Sequence, residues 1–87
     1  MDRELINMVS DERVPFPPTL DNFINNQLKG VAYKVESPAY NNADWIVYLD
    51  VWPDKGKEFT SDTLQKALLK LWMWVEFGKE WKEGGWK

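Results

Sequence analysis

The chain has 87 residues, a net charge of −3 at pH 7, and neither cysteine nor histidine. Its length suits one small domain spanning residues 1–87, and its 44% hydrophobic content excludes an intrinsically disordered chain. Without these two residue types there is no disulfide, no thiolate and no common zinc ligand, and no phosphate-loop, dinucleotide or calcium-loop motif occurs. We therefore expect no metal, no cofactor and no enzymatic activity.

The N-terminal part contains two predicted helices separated by a proline-rich connector. Residues 1–18 combine a short helical pattern with three prolines between positions 15 and 18, which force extended geometry on the residues before them. The second helix has Thr19 as a suitable N-cap and Gly30 as a suitable left-handed C-terminal residue. Its apolar stripe consists of Leu20, Phe23, Ile24 and Leu28.

After Gly30 the hydrophobic period changes from about 3.6 to 2, which predicts strands. Two strands are expected at residues 31–36 and 45–52, followed by a turn at residues 53–56 and a short third strand at residues 57–60. Together they predict an antiparallel sheet with one buried face. The residues expected on that face are Val31, Val35, Val47, Leu49 and Val51.

The last helix is predicted at residues 63–77, with Asp62 and Gln65 as a capping box and Gly78 as its end. On a helical wheel its core face carries Leu64, Ala67, Leu68, Leu71 and Val75. Residues 82–87 are expected to form a loose tail. The fold class is therefore α+β in the order α-α-β-β-β-α, with a three-stranded antiparallel sheet packed on a long C-terminal helix.

A second set of apolar residues falls on the other side of this helix and its extension: Leu69, Met73, Trp74, Phe77 and Trp81. Monomeric proteins seldom leave such a patch uncovered. One cover is internal, by the N-terminal residues Leu5, Ile6, Met8, Val9 and Phe16. The others are a second copy of the chain and a different protein. We interpret the set as anchors for a protein partner, either in a homodimer or on a basic host protein that the acidic chain attracts.

A different kind of site is predicted on the outer face of the sheet. Lys34, Tyr48, Asp50 and Trp52 alternate with the expected core residues and project together. Aromatic rings can stack on the apolar side of a sugar, and Asp50 can accept hydrogen bonds from hydroxyl groups. Small-ligand or carbohydrate binding on this face is therefore the alternative to a protein-binding module, beside a purely structural homodimer.

Residues 44–72, "DWIVYLDVWPDKGKEFTSDTLQKALLKLW", run from a strand through a hairpin into a helix opened by Asp-Thr. This third of the chain resembles the second half of small phage-encoded α-β-α sandwich domains, and the short, acidic, cysteine-free chain is similar in type to phage accessory proteins. The resemblance implies an inhibitor that occupies the surface of a host nucleic-acid or defence enzyme in the host cytoplasm.

The order α-β-β-β-α is also similar to that of double-stranded-RNA-binding domains. That family has a lysine cluster at the start of its last helix, whereas this chain has Ser61, Asp62, Thr63 and Gln65 there. This departure and the negative net charge argue against direct nucleic-acid binding. The longest uncharged apolar run, residues 71–75, is far shorter than the ~20 residues of a membrane span, so we expect a cytoplasmic protein without a membrane contact.

Overall fold

The longest helix of the molecule lies on a small sheet. The structure is a computed structural model, and it describes residues 3–14, 19–39 and 43–87. In chain order its elements are helix α1 (Arg3–Val9), helix α2 (Leu20–Asn22), the π-helical segment π1 (Phe23–Gln27), strands β1 (Tyr33–Glu36), β2 (Trp45–Leu49) and β3 (Glu58–Ser61), helix α3 (Leu64–Phe77), and strands β4 (Trp81–Lys82) and β5 (Gly85–Trp86). The predicted α+β fold, with a three-stranded antiparallel sheet on the C-terminal helix, is confirmed.

The sheet has the order β1-β2-β3, with both pairs antiparallel. Val47 of the central strand lies opposite Val35 of β1 and Phe59 of β3. Val47 and Phe59 are buried, whereas Val35 is 44% exposed. The reason is that α3 packs on β2 and β3 and leaves β1 at the margin. The prediction that Val35 belongs to the core is therefore wrong.

Val51 and Val75 are two further corrections to the predicted core. Strand β2 ends at Leu49, so the alternation does not continue to Val51, which is 45% exposed. Val75 lies in the last turn of α3 and is 38% exposed. Both residues lie at the end of the molecule where the sheet no longer covers the helix.

Helix α3 is closed by local hydrogen bonds at both ends. Thr63 is the N-cap, and its Oγ1 accepts a hydrogen bond of 3.2 Å from the backbone N–H of Lys66. The cap is therefore one residue later than the predicted Asp62. Gly78 ends the helix as predicted, at a φ of 67° that side chains disfavour. Its N–H donates to the Trp74 carbonyl at 2.9 Å, and the N–H of Lys79 donates to the Met73 carbonyl at 3.3 Å.

The far side of α3 is covered by the chain itself. Leu69 and Met73 are fully buried and belong to the same core cluster as Met8 of α1 and Leu28. An ion pair of 3.3 Å between Lys66 Nζ and Glu4 Oε1 also joins α3 to α1. The expectation that Leu69 and Met73 face a partner is therefore wrong, because both are buried within the chain itself.

Only part of the proposed N-terminal cover contributes to this core. Met8 is fully buried and Val9 packs against the cluster, whereas Ile6 is 44% exposed. Phe16 and the connector at residues 15–18 lie outside the described residues.

The second predicted helix differs from a regular α-helix. Thr19 Oγ1 accepts from the N–H of Asn22 at 3.2 Å, as expected of an N-cap, and Gly30 has a φ of 85°. Leu20 and Ile24 are nevertheless exposed by 37% and 44%. In π1 the hydrogen bonds run from i to i+5, so a stripe drawn at 3.6 residues per turn does not stay on one face. The side chain of Phe23 lies outside the described part of the structure.

Residues 81–86 form a β-hairpin, so the prediction of a loose tail at residues 82–87 is wrong. Trp81 lies opposite Trp86, and their rings meet edge to face with centroids 4.9 Å apart. The turn residues Glu83 and Gly84 have φ values of 52° and 76°, as a two-residue type I′ turn requires. The indole N–H of Trp86 donates to the carbonyl of Met8 at 3.0 Å, which ties the C-terminal hairpin to α1.

The two sides of α3 give different expectations for truncation of an apolar side chain. Leu69→Ala should lower the free energy of unfolding by about 2–5 kcal/mol, because it leaves a cavity in the core. Val75→Ala should cost roughly 1 kcal/mol or less, because Val75 is partly solvated. Urea denaturation followed by circular dichroism measures both. Equal costs would contradict the internal cover of α3.

The C-terminal hairpin is tested at Trp86. Trp86→Phe removes the N–H donor and keeps a ring, so we expect a loss of about 0.5–1.5 kcal/mol in the free energy of unfolding. Trp86→Ala also removes the packing against Trp81 and should cost roughly 2–3 kcal/mol. If residues 82–87 were a loose tail, both variants would unfold like the wild type in the same urea titration.

Candidate functional site

One end of the molecule exposes a group of large apolar side chains. Trp52 is the extreme case, with 77% of its surface exposed to solvent. It borders a hollow of about 370 Å³ together with residues from the same loop and from the end of α3. Apart from the buried Leu49, the apolar residues of this lining are partly or largely exposed, and we call them the Trp52 surface: Val51, Trp52, Pro53, Trp74 and Val75.

The loop between β2 and β3 holds Trp52 at the end of the sheet. Two backbone hydrogen bonds close this loop: Gly56 N–H donates to the Leu49 carbonyl at 2.7 Å, and Lys57 N–H donates to the Asp54 carbonyl at 3.0 Å. A turn forms here as predicted, but the hydrogen bond between Asp54 and Lys57 closes it one residue later than the expected residues 53–56. Because the chain turns back within a few residues, Trp52 lies at the tip of a short connection and cannot reach the core.

The opposite wall of the hollow is Trp74 of α3, which is held by polar contacts on two sides. Its indole N–H donates to Asp54 Oδ2 at 3.1 Å, and the Lys57 ammonium lies 4.4 Å from the ring centroid. A cation at this distance over an indole ring is attractive. One wall of the hollow is therefore fixed by the fold, and the other, Trp52, projects into solvent.

Lys57 also joins this wall to the C-terminal hairpin. Its Nζ lies 2.7 Å from Glu80 Oε1, and Glu80 Oε2 lies 2.8 Å from Lys82 Nζ. The hydrogen bond from Lys57, followed by that from Lys82, lowers the pKa of Glu80 from its ordinary value of 4.5 to about 2. The Glu80 carboxylate thus stays charged between two lysines.

A second hollow, of about 310 Å³, lies on the other side of this network. Its lining includes Lys57, Phe59, Lys70, Glu80 and Trp81. Lys70 Nζ donates to the Thr60 carbonyl at 2.7 Å, and partial burial lowers the pKa of the Lys70 amine. The Lys70 ammonium and the Glu80 carboxylate in this lining are already bonded to other groups of the protein.

The remaining predicted partner anchors are distributed over separate places. Trp74 lines the hollow beside Trp52, whereas Trp81 packs on Trp86 and lines the second hollow. Phe77 is 43% exposed and meets the ring of Trp72 edge to face at 5.5 Å, with the Arg13 guanidinium 5.5 Å from its own centroid. These residues do not form the single helix face that the wheel predicted.

On the outer face of the sheet, three of the four predicted ligand residues come together. Lys34, Tyr48 and Asp50 line a shallow hollow of about 320 Å³ with Lys55. The Tyr48 hydroxyl donates to Glu36 Oε2 at 2.7 Å, a hydrogen bond that raises the pKa of Tyr48. The predicted fourth member, Trp52, lies in the other hollow, because β2 ends before it and strand alternation no longer applies.

In residues 3–14, 19–39 and 43–87, no three carboxylates converge in the way that a metal site requires. Across the same ranges no helix has both the length and the apolar character needed to cross a bilayer.

Comparisons of the chain with protein-family models, with curated proteins and with solved structures give no match. The functional interpretation therefore depends on the geometry of the described residues. Alternation continued through residue 52 predicts a strand face for Trp52, whereas β2 ends at Leu49 and Trp52 borders the hollow at the end of α3. The pattern that could have indicated it is a tryptophan directly before the Pro-Asp-Lys-Gly turn, where a large side chain has no neighbouring strand to cover it.

The ion pairs of Glu80 predict a specific pH dependence. The pKa of Glu80 is lowered in the folded protein, so its contribution to stability is present above pH 4.5 and is lost as the pH falls to about 2. The difference in free energy of unfolding between wild type and Glu80→Gln should therefore shrink over this range, as measured by urea denaturation. Lys57→Gln should reduce the same acid dependence, and a pH-independent difference would contradict the assignment.

Proposed function

We propose that the chain is a non-enzymatic protein-binding module and that the Trp52 surface is its docking site. The observation that supports this most directly is the 77% exposure of Trp52 beside a preformed apolar hollow. Large exposed aromatic side chains next to other apolar groups mark interaction sites far more often than single scattered hydrophobic residues do.

The hollow has a feature typical of a binding hot spot, because one of its walls is already held in place by the fold. Trp74 is already held by Asp54 and Lys57, so a partner side chain that enters the hollow would order only Trp52. Tryptophan loses little rotamer freedom for the area that it buries, and full burial of such a ring contributes roughly 2–3 kcal/mol. A few residues of this kind can supply most of the energy of a specific complex.

The net charge of −3 supports a basic protein as the partner. The resemblance to phage accessory proteins supports a narrower version of the proposal. In that version the module is a phage-type inhibitor that acts in the host cytoplasm and covers the surface of a host nucleic-acid or defence enzyme.

A small ligand or a carbohydrate on the outer face of the sheet is the second proposal. The hollow bordered by Lys34, Tyr48 and Asp50 favours it, because these side chains offer a donor, a ring and an acceptor within one depression. It has one aromatic ring rather than the two that the sequence predicted. For this reason protein binding is the stronger proposal.

Trp52→Ala tests the docking site, with Ile6→Ala as the matched control because Ile6 is an exposed apolar residue of α1. Tagged wild-type protein and both variants are used to capture partners from a bacterial lysate, and the partner is then purified and titrated. We expect Trp52→Ala to weaken binding by at least about thirtyfold, and Ile6→Ala to leave it unchanged.

The same variants must keep their stability for the comparison to be valid. Since Trp52 is mostly solvated, Trp52→Ala should change the free energy of unfolding by no more than about 0.5 kcal/mol. Equal affinity of wild type and Trp52→Ala for the purified partner would refute the proposed site. Saturable glycan binding that is lost in Asp50→Ala and kept in Trp52→Ala would favour the outer face of the sheet.

A further inference from the structure

Strand β1 is an edge of the three-stranded sheet, and half of its backbone groups point away from β2. Asp50 N–H donates to the Ala32 carbonyl at 2.9 Å, and Lys34 lies opposite Tyr48 in the same register. Since hydrogen-bonding direction alternates along an antiparallel strand, Ala32, Lys34 and Glu36 bond to β2. The N–H and C=O groups of Tyr33 and Val35 therefore point outward. Among the described residues no strand pairs with this edge.

The other edge of the sheet is already engaged. In the pairing of β3 with β2, Leu49 N–H donates to the Lys57 carbonyl, so Phe59 bonds inward and Thr60 points outward. The outward carbonyl of Thr60 accepts the hydrogen bond from Lys70 Nζ at 2.7 Å. A side chain thus occupies an outward carbonyl of the β3 edge, and among the described residues β1 is the edge left to accept another strand.

The side chains of β1 are complementary to those of a second copy of the same strand. Lys34 and Glu36 flank Val35 and are both exposed, with their side chains on the outer face of the sheet beside Tyr48. Val35 is on the opposite face and is 44% exposed. In the described part of the chain Lys34 has no ion-pair partner, and Glu36 uses Oε2 to accept from Tyr48.

We propose that two copies of the chain pair antiparallel through β1, with Val35 opposite Val35 of the second copy. Val35 then exchanges both backbone hydrogen bonds with its counterpart across a two-fold axis. Lys34 lies opposite Glu36 of the second copy, and Glu36 opposite Lys34. These are non-hydrogen-bonded positions, where facing side chains approach most closely, so each charge meets its opposite at short range.

The charges also select this register over its neighbours. A two-fold pairing centred on Lys34 would place two lysines opposite each other, and one centred on Glu36 would place two glutamates opposite each other. Like charges directly across a strand pair are destabilising. The Val35-centred register extends the sheet to six strands and leaves the α3 helices of both copies on the same face. It involves none of the residues of the Trp52 surface, so the two proposals stand or fall separately.

Sedimentation equilibrium over a range of concentrations tests the pairing. The wild type should approach a dimer of twice its 10.3 kDa mass as concentration rises. Lys34→Glu and Glu36→Lys each replace two attractive pairs by two repulsive ones, so each should weaken dimerisation by at least about tenfold. Lys29→Glu is the matched control, because Lys29 is an exposed lysine outside the strand, and it should not alter the dimer.

Two further experiments distinguish pairing through β1 from a general effect of charge on dimerisation. The double variant K34E/E36K restores the complementarity with the signs exchanged, so it should dimerise like the wild type. An equimolar mixture of the two single variants should form a heterodimer, because a strand with two glutamates then faces one with two lysines. Hydrogen exchange should show protection of the Tyr33 and Val35 amides at high concentration and not at low concentration.

A wild type that stays monomeric up to about 1 mM would overturn the proposal, since a weaker dimer has no role. A dimer that is unaffected by both single variants, or that Lys29→Glu weakens equally, would overturn it as well. If a single variant fails to fold by circular dichroism, the outcome is decided by the double variant, which carries the same two residues with their charges exchanged.

Discussion

The structure depends on the need to cover both sides of one apolar helix. The sheet covers one side of α3 through Val47, Leu49 and Phe59, and the opposite side buries Leu69 and Met73 completely. Besides the sheet, α2 and π1 contact α3, and both ends of the chain add residues to the same core. Met8 contributes from α1, and the indole of Trp86 bonds to the Met8 carbonyl. The N-terminal helix and the C-terminal hairpin thereby become part of the core architecture.

The elements that cover α3 end before its last turn, and the exposed apolar residues of the Trp52 surface lie at that end of the helix. Val75 and Phe77 belong to the last turn, and Trp52 projects from the neighbouring loop because its strand has ended. Trp74 is half-buried, between the core and the exposed residues; the Lys57 ammonium lies over its ring and its N–H donates to Asp54. The Trp52 surface is therefore one part of the apolar surface that the folded chain leaves exposed.

Ion pairs join several elements of the molecule to one another. Glu80 lies between Lys57 and Lys82, so the hairpin is held to the sheet by charge as well as by tryptophan packing. Lys66 is almost completely buried, with its ammonium at the carboxylates of Glu4 and Asp62, so that a charge within the helical layer is neutralised locally. The β3 edge has a lysine bonded to its outward Thr60 carbonyl, and within residues 3–14, 19–39 and 43–87 the β1 edge has no such bond.

Local chemistry in the sequence determined the central strand, the turn after it, the course of α3 and its end at Gly78. Each of these follows from a short-range pattern: alternation at Val47 and Leu49, a Pro-Asp-Lys-Gly turn, and an apolar helical period closed by glycine. Local pattern also gave the order of the helices and strands up to α3. It did not give the π-helical turn or the hairpin of Trp81 and Trp86, because a two-residue turn with Glu83 at positive φ becomes stable only with the packing around it.

Only the tertiary structure decided which apolar residues are core and which are surface. A helical wheel assigns Leu69 and Val75 to faces but contains no information on where a covering element begins and ends. Leu69 is buried in one cluster with Met8, some sixty positions away in the chain, and exposure of Trp52 follows from the point at which the sheet stops. Covering an apolar face is a long-range property of the whole chain, and so is the surface that remains for a partner.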